Sequence, residues 1–126
     1  MGLRLVVAVA VLVSAAVHLW LWFDGFRVLD VIGPAFMVNA VAGVVIAVAL
    51  VVWRHWLPLL AAVGFGAATF GAFLVSTTVG LFGVREPFFA LWPMVANTSE
   101  IVAVVVGVGA LLRERRAVRT GQAVRT

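Results

Sequence analysis

The order of apolar and polar residues divides the chain into four long apolar runs separated by short polar segments. The runs are residues 5–23, 34–53, 57–82 and 91–112. Each is close to the roughly 20 residues that an α-helix needs to cross a bilayer. A β-barrel needs about eight strands or more, so only helices can satisfy the backbone of so few spans in lipid. The pattern predicts an all-α fold, an integral membrane antiparallel four-helix bundle in residues 1–112.

Proline and glycine mark the ends of these runs. Pro34, Pro58 and Pro93 each lie at or near the start of a run, where the missing N–H has no acceptor within the helix. Gly25 and Gly83 follow the first and third runs, as residues that end helices often do. The positions of these residues therefore support the predicted boundaries.

The first run also has some features of a secretory signal, namely a basic start and small residues at 13–15. It continues, however, through an apolar segment that ends at Phe23 and is long enough to span a membrane. We therefore expect a retained helix and not a cleaved signal.

Composition narrows the class of protein. The chain has 126 residues, of which 65% are hydrophobic and 11% are charged, whereas soluble chains are roughly 45–50% apolar and about 25% charged. A chain this short cannot bury so much apolar surface in a core of its own. The composition excludes most soluble enzymes, nucleic-acid-binding domains and disordered tails. The absence of cysteine also excludes disulfides, thiolate catalysis and cysteine-ligated metals.

The arginines predict the orientation of the bundle, because cytoplasmic segments of membrane proteins carry an excess of basic residues. Two of the nine, Arg27 and Arg85, lie on one side of the predicted spans. The other side has Arg4, Arg54, Arg113, Arg115, Arg116, Arg119 and Arg125. The pattern predicts a multi-pass protein of the bacterial cytoplasmic (inner) membrane with both termini in the cytoplasm.

Residues 113–126 form a basic segment after the last span. We predict that this segment is a cytoplasmic tail that extends the fourth helix and frays into a disordered end. It is expected to contact anionic lipids of the bilayer at Arg113, Arg115 and Arg116, and no nucleic acid is expected as a partner. A homo-oligomer and a place in a larger membrane complex are both open alternatives.

The third run carries small residues at four-residue spacing, namely Gly64, Ala68, Ala72, Ser76 and Gly80. Helices in lipid associate by close backbone approach, which small residues permit. The spacing predicts that this stripe is the face through which the third helix contacts its neighbours.

Polar residues inside apolar runs are informative, because each costs a few kcal/mol at depth. His18, Asn39 and Thr77 lie about 7 Å from the outer ends of their runs, and Glu100 lies about 10 Å from its own. All four runs thus place a polar group at one level in the outer leaflet. This polar layer is the strongest functional signal in the chain.

Helical spacing extends the polar layer to a candidate site. Ser14, His18 and Trp22 are spaced i, i+4, i+8, and Asn97 and Glu100 are spaced i, i+3, so each set shares a helix face. The predicted ligand-binding residues are His18, Asn39, Thr77, Asn97, Glu100 and Trp22. No catalytic or metal-binding residue is predicted. Asp24, Arg27, Arg85 and Glu86 are predicted to line its entrance or to form ion pairs between the loops.

Two functions follow from this layer. The first is a small non-enzymatic membrane protein, an accessory subunit or a ligand-binding bundle. The second is a quinone-binding, small-molecule-binding or proton-coupled transport protein that uses His18 and Glu100. No cofactor is predicted, although a quinone would suit the layer.

Two structural interpretations compete with a site. Asn97-Thr98-Ser99-Glu100 matches a capping box, which would place Glu100 at a helix start. The whole layer would otherwise serve only as polar contacts that fix the packing of the helices.

Two segments show a resemblance to known membrane proteins. They are residues 15–27, in the pattern AAVHLxLWxDGFR, and residues 32–43, in the pattern IGPxFxxNAVAG. With them the chain resembles small four-span membrane proteins of actinobacterial type whose function is unassigned, and more distantly DoxX-like proteins. The resemblance implies a four-helix fold and no activity. Small multidrug exporters are similar in size, but their membrane glutamate lies in the first helix and not in the fourth.

Overall fold

The structure is a computed structural model that describes residues 2–85, 87 and 90–125, the last four without their side chains. It contains four long helices: α1 (Gly2–Phe23), α2 (Ile32–Val52), α3 (Trp56–Thr78) and α4 (Leu91–Arg125). A short 3-10 turn, Phe26–Val28, lies between α1 and α2. All four helices are long and apolar enough to cross a membrane. The predicted all-α four-helix bundle is confirmed.

Pro34, Pro58 and Pro93 each lie at the third position of their helix. The N–H groups of the first turn have no acceptor inside a helix, so proline removes no hydrogen bond there. His55 caps α3, because its Nδ1 accepts a 3.2 Å hydrogen bond from the backbone N–H of Leu57.

The third helix ends at Thr78 and not at Phe82 as predicted. Backbone conformation is the reason: Gly80, Phe82 and Gly83 have φ values of 86°, 47° and 81°. A right-handed helix cannot continue through left-handed positions. Leu81 and Val84 instead exchange backbone hydrogen bonds of 2.8 and 2.9 Å across a tight turn.

The fourth helix runs from Leu91 to Arg125 without a break, so most of the basic segment predicted as a tail continues the helix. Arginine, glutamate and alanine favour helix, and no proline interrupts them. Because α4 begins six residues before Asn97, the capping box is not formed and Glu100 lies inside the helix. The alternative that placed Glu100 at a helix start is therefore wrong.

The bundle is unevenly packed. Helix α1 packs against both α2 and α4, and α3 packs mainly against α4, while α2 and α3 contact each other much less. A tightly packed apolar core lies in the half of the bundle nearest the connection between α2 and α3. Its fully buried members include Val7, Val11, Leu50 and Leu59. The other half, where α2 and α3 separate, contains the polar residues.

Arg4 closes the bundle beneath this core. It is 3% exposed, and its guanidinium makes hydrogen bonds of 2.8 and 3.1 Å with the two carboxylate oxygens of Glu114. It also donates to the backbone oxygens of Leu50, Trp53 and His55. The carbonyls at the end of a helix lack partners within it. One side chain therefore holds α1, α4 and the end of α2 together.

The closest contacts between helices involve glycines that are not part of the small-residue stripe predicted on the third helix. A Cβ on Gly66 would lie 2.8 Å from the backbone oxygen of Glu100, and one on Gly43 would lie 2.6 Å from the Cβ of Ala15. A Cβ on Gly64 would meet nothing within 4 Å. Ala68 and Ala72 are exposed. The predicted contact face is thus wrong for Gly64, Ala68 and Ala72, because α3 turns a different face toward α4.

Candidate functional site

The separation of α2 from α3 opens a cavity of about 340 Å³ on the side of the bundle away from the apolar core. All four helices contribute to its wall. Four of the six residues predicted to bind a ligand line it: His18, Asn39, Asn97 and Glu100. The sequence-based prediction that these residues share one level is consistent with this convergence.

Glu100 is the most deeply buried polar residue of the cavity wall, at 1% exposure. Its Oε1 accepts a 2.9 Å hydrogen bond from the hydroxyl of Ser14 on α1. The close approach of α3 at Gly66 covers the backbone of Glu100 from the other side. A carboxyl group in this position is expensive to bury and is held by a defined donor.

His18 lies one turn after Ser14 on α1. Its Nδ1 is 2.8 Å from the backbone oxygen of Ser14, and because a carbonyl oxygen only accepts, Nδ1 carries the proton. Nδ1 also lies 3.5 Å from the Ser14 hydroxyl oxygen. The ring meets Phe36 edge to face at 4.8 Å, and Phe36 stacks on Phe26 at 4.9 Å. The orientation of the imidazole is therefore set by α1, α2 and the 3-10 turn together.

Asn39 joins α2 to α3 across the cavity. Its Nδ2 donates a 3.0 Å hydrogen bond to Oγ1 of Thr69, whose hydroxyl donates to the backbone oxygen of Phe65 at 2.7 Å. Since the only proton of that hydroxyl is used, Thr69 must accept from Asn39, which fixes the amide orientation. Oδ1 of Asn39 is buried and has no hydrogen-bond partner among the described residues.

The turn after α3 covers one end of the cavity. Ser76 is buried, and its hydroxyl donates a 3.1 Å hydrogen bond to the backbone oxygen of Val84. This bond holds the tight turn against α3, and Leu81 of the turn lines the cavity. Asn97 of α4, which is 8% exposed, completes the wall at this level.

Thr77 and Trp22 are not part of the cavity wall. Because α3 ends at Thr78, Thr77 lies in its last turn, and its hydroxyl donates to the backbone oxygen of Leu74 in the same helix. The depth predicted for Thr77 was measured from Phe82 and was therefore too great. Trp22 packs edge to face on Phe23, with ring centroids 5.0 Å apart.

The predicted entrance residues make few contacts. Asp24 and Arg27 are exposed, and neither forms an ion pair within the described part of the chain. Arg85 donates to the backbone oxygen of Thr78 at the end of α3. Glu86 lies outside the described residues. The interloop ion pairs expected from sequence are therefore not found among Asp24, Asp30, Arg27 and Arg85.

Two residues of the site were missed or undervalued in the sequence. Ser14 was noted only as a member of a helix face, whereas it holds Glu100. Thr69 was not singled out, although it lies seven residues before Ser76 and both line the cavity. That spacing places them on nearly the same helix face. Polar residues on one face of an apolar helix were the available signal.

The polar groups of the site include few metal ligands. Within residues 2–85, 87 and 90–125, no group of three or more His, Cys, Asp and Glu side chains lies close enough to hold a metal ion. His55 caps α3 at the end of the bundle that holds the apolar core, and His18 lines the cavity in the other half.

Comparison of the chain with family models, with curated proteins and with solved structures finds no match.

Proposed function

We propose that this chain is a small, non-enzymatic membrane protein that binds an amphipathic small molecule in the cavity between α2 and α3. The proposal rests on one observation above all. Six polar residues from all four helices converge on a cavity of about 340 Å³, in a bundle whose other half is packed with apolar side chains. Small-molecule sites are mostly apolar cavities of about 300–1,000 Å³ with a few convergent polar groups.

The polar groups indicate what the ligand presents. Asn39 Oδ1 is a buried acceptor whose missing hydrogen bond costs about 1–3 kcal/mol. A ligand with a hydroxyl or amine hydrogen is the kind of molecule that would supply such a donor. A quinol head group has such a hydrogen, so a quinone in its reduced form is the cofactor class that fits best.

The apolar part of the ligand would lie between the helices and the bilayer. Ala35, Ala68 and Ala72 line the cavity and are exposed, so the wall between α2 and α3 is built from small side chains on its open side. This arrangement favours entry from the bilayer. The protein would then act in a bacterial inner membrane, with both termini in the cytoplasm as its arginines indicate.

A second candidate function is proton-coupled transport. One observation favours it: the Ser14 hydroxyl lies between His18 and Glu100, 3.5 Å from His18 Nδ1 and 2.9 Å from Glu100 Oε1, to which it donates, so the three groups form a series. Such a series is a route along which a proton can move between a histidine and a carboxyl group.

The experiment compares thermal unfolding of purified wild type, His18→Ala and Glu100→Gln in detergent. Each is measured alone, with a total lipid extract of the expression host, and with synthetic phospholipid of matched composition. We expect the extract, but not the synthetic lipid, to raise the Tm of wild type, and to raise that of the variants less. If the variants are merely less stable and no extract protects wild type, the polar layer only fixes helix packing.

A further inference from the structure

A second surface feature lies on the outside of the bundle, away from the cavity. A long apolar groove of about 690 Å³ runs between α1 and α4. Its walls include Val6 and Val9 of α1 and Val102 of α4. The only polar side chains in its wall are Thr98 and Ser99, and their hydroxyls bond to backbone oxygens of α4 itself. The groove therefore offers an apolar surface without free polar groups.

This groove adjoins a second, more polar groove of about 590 Å³ at the arginine-rich end of the bundle. Val6 lines both, so they form one continuous face of α1 and α4. The second groove is lined by Arg4, Arg113 and Glu114 among others. Apolar and polar parts thus follow each other along one face.

The charge available in the polar part is positive. Arg4 and Glu114 neutralise each other in a 2.8 Å ion pair. Arg113 is exposed, forms no ion pair among the described residues, and remains to attract an anion. Arg116 does not line the groove; it follows about 60° further around α4, on the side away from Glu114, and as the i+3 neighbour of Arg113 it can share one phosphate with it. Arg115 and Arg119 lie about 160° and 120° from Arg113 and point away from the groove.

We propose that this face binds one anionic phospholipid, with its phosphate at Arg113 and Arg116 and an acyl chain along Val6, Val9 and Val102. The apolar groove matches the chain and the unneutralised arginines match the head group. Guanidinium groups bind phosphate through paired hydrogen bonds, and basic residues beside a span attract anionic lipids. The site is specific to one face of α4, and Arg115 takes no part in it.

Native mass spectrometry of the purified protein with phosphatidylglycerol or phosphatidylcholine of the same acyl chains tests the proposal. We compare Arg113→Gln/Arg116→Gln with the matched pair Arg115→Gln/Arg119→Gln, which removes the same charge from the other side of the helix. We expect wild type to retain phosphatidylglycerol preferentially. The first pair should weaken its apparent Kd about tenfold, and the second by no more than about threefold.

A second pair of variants tests the acyl part of the groove. Val9 is 60% exposed and lines the groove, whereas Leu12 is 41% exposed on the same helix and does not line it. Val9→Phe should reduce lipid retention, and Leu12→Phe should not. Equal loss in the two arginine pairs, or equal retention of the two lipids by wild type, would overturn the proposal. So would a lipid-free dimer that Val9→Phe disrupts, since the groove would then bind a second copy of the chain.

Discussion

The hydroxyl of Ser14 donates a 2.9 Å hydrogen bond to Oε1 of Glu100, and this bond joins α1 to α4 beside the cavity. Both residues are almost completely buried, at 0% and 1% exposure. The bond therefore fixes the position of the Glu100 carboxyl group, which lies in the apolar part of α4 before its arginine-rich end. The strength of this bond therefore affects how rigidly the Glu100 side chain is held in the cavity wall.

Removing this hydroxyl should destabilise the bundle. We expect Ser14→Ala to lower the free energy of unfolding by about 1–3 kcal/mol, because a buried acceptor loses a donor. Ser99→Ala is the matched control, since the Ser99 hydroxyl bonds only to Ala96 in its own helix. The measurement is denaturant-induced unfolding in mixed micelles. Equal losses in the two variants would show that the Ser14–Glu100 bond contributes nothing specific.

Arg4 should be the most sensitive charged residue of the chain. Arg4→Met is expected to cost roughly 1–3 kcal/mol, because it leaves the backbone oxygens of Leu50, Trp53 and His55 without this donor. Glu114→Gln should cost less, since the Glu114 side chain is 43% exposed and water can replace the arginine. Arg27→Met, at an exposed position, is the control. The same unfolding assay checks this order, and a loss in Arg4→Met no larger than in the control would refute it.

Two glycines of α3 should respond in opposite ways to the same substitution. Gly66→Ala brings a Cβ to 2.8 Å from a backbone oxygen of α4. We expect it to separate the helices and cost about 1–3 kcal/mol. Gly64→Ala adds a Cβ in open space and should be neutral or stabilise by up to about 1 kcal/mol. Thermal unfolding of both variants is sufficient, and a reversed order would contradict the packing of α3 on α4.

The orientation in the membrane follows from the arginines and is tested separately. We expect a C-terminal fusion to green fluorescent protein to fluoresce, and the corresponding fusion to alkaline phosphatase to be inactive, because the distribution of arginines predicts that both termini face the cytoplasm. The reverse pattern would place the basic end of α4 outside the cytoplasm and would contradict the predicted orientation.

The fold was largely readable from sequence, because lipid imposes long apolar runs and prolines lie in the first turns of the helices. His18, Asn39, Asn97 and Glu100 were found for a related reason, since polar residues inside such runs stand out. The end of α3 was not readable, because left-handed backbone at Phe82 has no strong sequence signal. Because of that error, Thr77 was predicted to lie in the polar layer, whereas it lies in the last turn of α3.

Contacts between helices were harder to predict from the sequence than the polar residues that line the cavity. Thr69 was overlooked because its role depends on how far α2 and α3 separate, and separation is a property of packing. The stripe of small residues on α3 was assigned to helix contact for the same reason. Small residues permit close approach, but Gly64, Ala68 and Ala72 show that they also line or border open space. Only the arrangement of all four helices distinguishes these uses.

Co-purification tests most directly whether the cavity between α2 and α3 holds a small molecule. Wild type, Ala68→Phe and Ala67→Phe are purified from membranes, and their bound molecules are identified by mass spectrometry. Ala68 lines the cavity, whereas its exposed neighbour Ala67 does not. We predict an amphipathic molecule with a hydroxyl or amine hydrogen in wild type and Ala67→Phe, and its loss in Ala68→Phe. The same molecules in equal amounts in all three proteins, or none in any, would contradict a ligand site.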